Sequence, residues 1–395
     1  DFGAKLAALD AEFLGHELEP KTGLPAFQFR IGKNTLMESV ALGADGKVEI
    51  LLEGKLMEAQ SFRLRSDGLS EVQVETGSLE NGRWKLPASA ESKVYRLQAK
   101  IPGVVVARPE IERKENWGPQ SIVSAPTEVL QPDLNRPRRK GKPLSVPVGY
   151  SAFTIEPPLD LYGRKQSFEA TGIAQAKDGT IVLATRASGI WRIRDDKWML
   201  FAEGIFESLG VCIEDDKGDR IVITQKPELT RLVDTDADGR ADRFQTLCDD
   251  FGFHGNYHEY THGPVRDAEG NYHFNLNLAD ASGVGGAAFR AGGKFMGSMG
   301  GYRGWSCVVT PKGKMSLFAN GLRSPAGMGL APDGRLWYSE NQGEFVGSSK
   351  WVPLEKGKFY GHLSGLVDLP GITPESKLDG EGWSEKLRKG AVWLP

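Results

Sequence analysis

A unit of about 40 to 50 residues recurs in the second half of the chain, and self-similarity at that spacing restricts a fold more than any local motif does. FAEGIFESLGVCIEDDKGDRIVITQ starts at Phe201 and FANGLRSPAGMGLAPDGRLWYSENQ at Phe318. They match in the order aromatic, turn glycine, polar loop, apolar strand, turn with Asp and Gly, apolar strand. LCDDFGFHGNYHEYTHGPVRDAEGNYHFNLN, from Leu247, follows the same plan with a longer loop, and TGIAQAKDGTIVLATRASGIWRI, from Thr171, precedes all three. The first step is 46 residues and the second 71, the excess lying in the glycine-rich run ASGVGGAAFRAGGKFMGSMGGYRGW. One small sheet per unit cannot bury both its faces alone, so the units must stack around an axis. The expected fold is all-β, a β-propeller of about five to six blades over residues 151–395, incomplete if the chain is part of a longer one.

The first 125 residues read differently. FQFRIG, KVEILLEG, SFRLRS, EVQVETG, RWKLPA and KVYRLQAKI alternate apolar and polar residues between Asp45-Gly46, Asp67-Gly68 and Asn81-Gly82. Period-two alternation between turn dipeptides that tolerate positive φ predicts antiparallel hairpins with one buried face, hence a small β-sandwich over 1–125. Residues 126–150 change to PTEVLQPDLNRPRRKGKPLSVPV, with five basic residues among the seven from Arg136 to Lys142. Proline removes ladder donors, so this segment is expected to be an extended basic linker, solvated or bound to an acidic partner.

Composition narrows the function classes. Against 49 basic residues stand 52 acidic ones, a net charge of −3, which provides no overall field for nucleic acid or a membrane surface. No apolar run is long enough to span a bilayer. DFGAKLAALDAEF carries acids where a signal peptide has a basic end, so the chain is either cytosolic or has lost a leader. Cys212, Cys248 and Cys307 lack CxxC or CxxCH spacing, which argues against a disulfide scaffold, a zinc knuckle and covalent haem. Glycine, at 49 of 395, exceeds the usual fraction of about 7% and predicts many tight turns.

Four of the six histidines fall in HGNYHEYTHGPVRDAEGNYHF, residues 254–274. His254, His258 and His262 recur every fourth residue, but Gly255, Asn256, Gly263 and Pro264 disfavour a helix, so they are expected in a loop at the channel mouth. There His258 is the candidate proton acceptor, with Glu259 beside it and His262 competing for the role. Each could equally be a structural histidine bonded to a backbone carbonyl, and His254 with His262 could hold a metal. His273, within the strand NYHFN, is expected to be structural. Arg323 in GLRSPAGM occupies the matching loop of a later repeat and could bind a carboxylate or quinone oxygen, or form a surface ion pair. Glu340 and Asn341 in YSENQGE could line the same mouth or close a turn. In DTDADGRAD, Asp234, Asp236, Asp238 and Asp242 stand at loop positions 1, 3, 5 and 9 around Gly239, a spacing that suits calcium. Gln245 stands where an EF-hand has its bidentate glutamate, so affinity should be lowered, and a plain acidic turn is the alternative.

QKPELTRLVDTDADGRADRF, NYHEYTHGPVRDAEGNYHFNL, YRGWSCVVTPKGKMSLFANGLRSP and GMGLAPDGRLWYSENQGEFVGSSKW together resemble the propeller of the large dehydrogenase-like proteins of planctomycetes and verrucomicrobia, often fused to a c-type cytochrome domain. More distantly they resemble soluble quinoprotein glucose dehydrogenase and sorbosone dehydrogenase. DFGAKLAALDAEFLGHELEP resembles the segment before the propeller in the former. The resemblance implies oxidation of a sugar or aldehyde by pyrroloquinoline quinone (PQQ), with a histidine as base. Carried over, His258 takes the base position. Arg323 matches the quinone-contacting arginine of GLR(N/S)P, and Ser324 stands where the glucose enzymes have asparagine. Asn341 joins these two as cofactor candidate. The resembled proteins continue beyond AVWLP, so a piece of a longer polypeptide is expected. The leading expectation is thus a periplasmic or extracellular quinoprotein-type carbohydrate oxidoreductase with structural calcium and a c-type cytochrome acceptor. A metal-assisted polysaccharide lyase or hydrolase, and a non-catalytic propeller binding glycan or protein, are the rivals.

Overall fold

A computed structural model describes residues 11–19, 23–42, 47–63, 70–100, 119–122, 124–126, 129–130, 144–145, 153–160, 163–280, 290, 295–372, 376, 378 and 380–394. The basic cluster Arg136 to Lys142 and the turns Asp45-Gly46 and Asp67-Gly68 lie outside these residues.

The repeats fold into four antiparallel sheets in which strands follow one another in chain order. Blade 1 comprises Ala170–Gln175, Ile181–Thr185, Ile190–Arg194 and Lys197–Ala202. Blade 2 comprises Val211–Ile213, Arg220–Thr224, Leu229–Val233 and Arg243–Cys248. Blade 3 is built from Thr261–Arg266, Tyr272–Leu276, Trp305–Val309 and Met315–Asn320. Blade 4 is built from Pro325–Leu330, Leu336–Glu340, Ser349–Leu354 and Val392–Leu394. The first strand of each blade packs on the first strand of the next, which is the arrangement of a propeller. Between Leu354 and Val392, chain length that the repeat spacing assigned to a further blade goes into an excursion carrying the 3-10 turn Leu363–Leu366 and the short helix Gly380–Ser384.

The faces of neighbouring blades make the core. Val182 and Phe201 of blade 1 meet Ile221 and Leu232 of blade 2. Val222 and Leu229 then meet Tyr272, Phe274 and Cys307 of blade 3, and Ala319 meets Leu336, Tyr338 and Val352 of blade 4. Because a middle blade is covered on both sides, Tyr272–Leu276 is buried at every position and has lost the alternation of a one-faced strand. The three cysteines are free thiols.

Glycine lets the inner strands approach. A Cβ on Gly172 would lie 2.7 Å from the Cα of Gly210, and one on Gly210 would lie 2.0 Å from the carbonyl oxygen of Gly263. One on Gly263, whose φ is +118°, would reach the Met328 sulfur of blade 4 at 3.2 Å. Blades 1 to 3 are thus in backbone-level contact along one line, and blade 4 meets it through the Met328 side chain.

The N-terminal strands Ala11–Leu18, Pro25–Ile31, Asn34–Leu42, Lys47–Leu56, Ser89–Lys100 and Ser70–Val74 form one antiparallel sheet, in that order. Gln60–Arg63, Arg83–Leu86 and Ser78–Glu80 form a second. Leu36, Leu52, Trp84, Tyr95 and Leu97 fill the space between the two sheets. Asn81 and Gly82, both at positive φ, make the tight turn their sequence predicted. The first strand also pairs with the outer strand of blade 2, His16 opposite Phe244, so ten strands run continuously from blade 2 into the N-terminal sheet. Among the described residues no helix is long and apolar enough to cross a membrane.

Replacing Gly210 by Ala should destabilise the fold by about 1–3 kcal/mol through backbone overpacking. Gly347, with open space around it, should accept Ala without loss. Denaturant unfolding of the two variants checks this.

Candidate functional site at the propeller mouth

Strand direction sorts the loops. Those joining an outer strand to the next blade, and those joining second to third strands, emerge at one end, which we call the mouth. His258, Arg323 and Asn341 all lie in such loops. The turn Asp234–Asp242 joins third to fourth strands of blade 2 and therefore lies at the opposite end.

Within the loop that leads into blade 3, Glu259 is fully buried and turns away from His258. Its carboxylate accepts the amides of His254 at 2.7 Å and Asn256 at 3.3 Å and contacts His254 Nδ1 at 2.8 Å. The expected pairing of His258 with Glu259 is therefore corrected: the partner of Glu259 is His254, because a carboxylate with no solvent access must satisfy itself with the donors of its own loop. His258 is open instead, its side chain 37% exposed, with Nδ1 4.0 Å from Asp280 Oδ2. Asn256 joins the two segments by donating to the Asp280 carbonyl at 2.9 Å and accepting the Asp280 and His258 amides. His262 sits on the inner strand, and burial pushes its imidazole down to about 4. It is half-buried on the strand, whereas His258 stands in the loop. His273, as expected, is structural: it is buried and contacts Asp267 at 3.0 Å.

Two buried cations secure this loop. Lys226 Nζ lies 2.9 Å from Glu207 and 2.9 Å from the Tyr257 carbonyl oxygen, and 4.6 Å from the centre of the Tyr260 ring. The Arg303 guanidinium donates to the carbonyls of Gly252, Tyr260 and Lys226. On the outside, Arg186 donates to the Tyr257 hydroxyl at 2.9 Å.

The Arg323 loop is tied to the His258 loop through two consecutive amides, Asn277 donating to the Tyr260 carbonyl at 3.0 Å and Leu278 to the Arg323 carbonyl at 2.9 Å. Glu340, fully enclosed, accepts the amides of Arg323 at 3.1 Å and Ser324 at 2.8 Å. Burial raises its carboxyl, against the pull of Lys350 and those amides. The Ser324 hydroxyl accepts from Asn277 Nδ2 at 3.2 Å. The Arg323 stem lies on Gly343, where a Cβ would fall 2.1 Å from Cδ, and its Nε is buried without a hydrogen-bond partner. Asn341 is exposed beside it. Arg323, Glu340, Asn341, Lys350 and His362 line a small cavity of about 10 Å³, room for about one water. His362, from the excursion before the last strand, accepts the Ser364 amide at Nδ1 and meets Glu344 at Nε2, 3.1 Å away. Burial alone would raise the Glu344 carboxyl, but His362 and the amides of Phe295 and Met296 hold it near 2.

At the far end, one carboxylate oxygen from each of Asp234, Asp236 and Asp238 lies within 4.8 Å of the others. The Asp234 side chain is 2% exposed and its Oδ1 has no hydrogen-bond partner. Asp242 departs from the expected four-ligand set: both its oxygens accept from Thr235, through the amide and the hydroxyl. Its place at loop position 9 faces back across the turn and closes it.

Asp280, Lys226, Arg303 and His362 escaped the sequence reading, for none has a motif. A buried cation inside a glycine-rich mouth segment, as in YRGW, was the one available signal for Arg303.

No family model matches the sequence, and no curated protein matches it. Among solved structures the chain is similar to the PQQ-bound aldose sugar dehydrogenase of Streptomyces coelicolor, at 15% identity and a TM-score of 0.40 over 58% of this chain and 69% of that one. It is similar at 13% identity and 0.41 to the PQQ domain of pyranose dehydrogenase from Coprinopsis cinerea, over 58% and 66%. A calcium form of a family AA12 carbohydrate-active enzyme from Trichoderma reesei gives 12% and 0.41, over 58% and 69%.

In the unfolded chain His262 takes up its proton near 6.5, and in the fold only near 4. Between these pH values the unfolded state binds more protons, so stability falls on acidification, by up to about 3 kcal/mol from this group. His262→Gln should show a shallower loss of stability from pH 6.5 to 4, read from urea midpoints.

Proposed function

We propose that the mouth oxidises a carbinol of a carbohydrate, with His258 as proton acceptor and Arg323 as the anion-binding group. The observation that carries this reading is the coincidence, at one end of the fold, of an open imidazole facing a carboxylate and a guanidinium with an unpaired buried nitrogen. The Asp280 carboxylate lies 4.0 Å from Nδ1 of His258, so Nε2 is the edge left to face a substrate hydroxyl. As the imidazolium forms, Asp280 offsets its charge.

The family resemblance supplies PQQ as the oxidant. Its anionic oxygens suit the unpaired Arg323 Nε, with the Asn341 amide alongside. When bound, the quinone supplies the acceptor for the hydride that leaves the carbinol carbon. Release of the electrons to a c-type cytochrome, in a periplasmic or extracellular setting, belongs to the same reading. The acidic turn lies at the other end of the blades, so a metal held there could not polarise a bond beside His258, and this disfavours a metal-assisted lyase or hydrolase.

For that turn we propose a structural calcium on Asp234, Asp236 and Asp238. The buried, unpartnered Asp234 Oδ1 fits a cation, and Gly239 at φ +97° makes the sharp turn the loop requires.

Purified protein given PQQ and calcium should develop a quinone absorbance that a substrate sugar bleaches. His258→Gln should lower turnover about 100-fold with the quinone still bound, and Arg323→Gln should weaken quinone retention. No quinone uptake, either by this chain or by a longer polypeptide that includes it, would sink the redox reading and leave a binding propeller. Calcium at 100 times its dissociation constant should stabilise the protein by about 2.7 kcal/mol. Calorimetry should show that gain lost in Asp238→Asn and kept in Asp242→Asn.

A further inference from the structure

We infer that the mouth binds a neutral oligosaccharide along an arc of exposed aromatic rings, several linked sugars at once rather than one. This rests on the carbohydrate reading above and extends it to the size and charge of the ligand. Phe206, Tyr257, Phe295 and Phe345 are 44%, 56%, 44% and 37% exposed, and all four stand in mouth loops. Phe206 precedes blade 2, Tyr257 precedes blade 3, Phe295 lies between the second and third strands of blade 3, and Phe345 lies between those of blade 4.

The rings are linked in order. Phe206 and Tyr257 both lie within 6 Å of Lys226 Nζ, at 5.8 and 5.2 Å. Tyr257 then stands 5.3 Å from His258, and His258 6.3 Å from Phe295, both near perpendicular. The backbone amide of Phe295 donates to Glu344, which meets His362, and His362 packs 4.9 Å from Phe345. The proposed base is therefore the middle of the arc, with an open ring on either side.

Large apolar side chains left half in water at loop tips cost solvation and are retained where a ligand covers them. A polyhydroxylated ligand suits this set because its carbon-bound hydrogens pack on ring faces while hydroxyls reach the polar groups between rings, among them the Tyr257 hydroxyl, Asp280 and Asn341. The charges are balanced locally: Lys226 with Glu207, Arg186 with Glu207 and Glu169, and His362 with Glu344. With Arg323 given to the quinone in the reading above, no other cation of the arc is left to select a sulfated or uronic polymer over a neutral one. A single sugar covers only one interval between rings, and a chain of them covers the arc.

Isothermal titration calorimetry on the 395-residue chain, without quinone, tests this with glucose, xylose and mannose against hexamers of β-1,4-glucan, α-1,4-glucan, β-1,4-xylan and β-1,4-mannan. At least one hexamer should bind ten times more tightly than its monomer. Tyr257→Ala and Phe295→Ala should each weaken it about five- to tenfold, while Trp351→Ala, equally exposed but within a strand, should leave it unchanged. Tyr257→Leu and Phe295→Leu keep the bulk and remove the ring, and should reproduce the loss in folded protein. Equal affinity for monomer and hexamer, no binding of any hexamer, or unaltered binding by the ring variants would overturn the inference. Because no quinone is present, this experiment can succeed where quinone uptake fails, and the reverse.

Discussion

Backbone contact between the inner strands is the constraint on which the rest of the structure depends. At Gly172, Gly210 and Gly263 successive blades touch main chain to main chain, and no side chain could be inserted there without moving a whole sheet. Hydroxyls seal the same line: Thr171 donates to the Ser208 carbonyl and Thr224 to that of Gly263. The blades behind these contacts stack face to face, and their loops are brought to the mouth at short range. The high glycine content thus serves blade packing as well as turns.

Placing loops close together leaves polar backbone away from water, and buried charges resolve this. Glu259 satisfies amides of the His258 loop, Glu340 satisfies those of the Arg323 loop, and Lys226 and Arg303 take up carbonyls between them. Each of these ions would be costly alone, and each is given hydrogen-bond partners by the loops it holds, although at Glu340 and Arg303 burial still outweighs them. Among the described residues, His258, Asn341 and the Nε of Arg323 are exposed or unpaired groups that the frame does not use. Rigidity in one set and availability in the other is what a site requires.

The two ends of the propeller carry different chemistry for a topological reason. Loops that change blades share the mouth with the second-to-third-strand loops, and this collects residues of three blades in one place. The remaining turns are short and close on their own blade, as Asp234 to Asp242 do, so they offer local ion sites but no convergent one.

Much of the architecture was legible in the primary structure. Repeat spacing predicts stacked small sheets, alternation predicts the N-terminal hairpins, and the position of each motif within its repeat puts His258 and Arg323 in mouth loops, while leaving Asn341 between the mouth and a plain turn. These follow from chain-local physics, namely strand period, turn chemistry and chain order. Partners were decided only by the fold. Adjacency in sequence pairs His258 with Glu259 and Asp242 with the other aspartates, yet Glu259 turns to His254, Asp242 closes its own turn, and His258 faces Asp280 across 22 residues. The pairing of the first strand with blade 2, and the return of His362 to the mouth, were equally invisible. Burial decides which way a charged side chain points, and burial is a property of stacked blades that no single repeat contains.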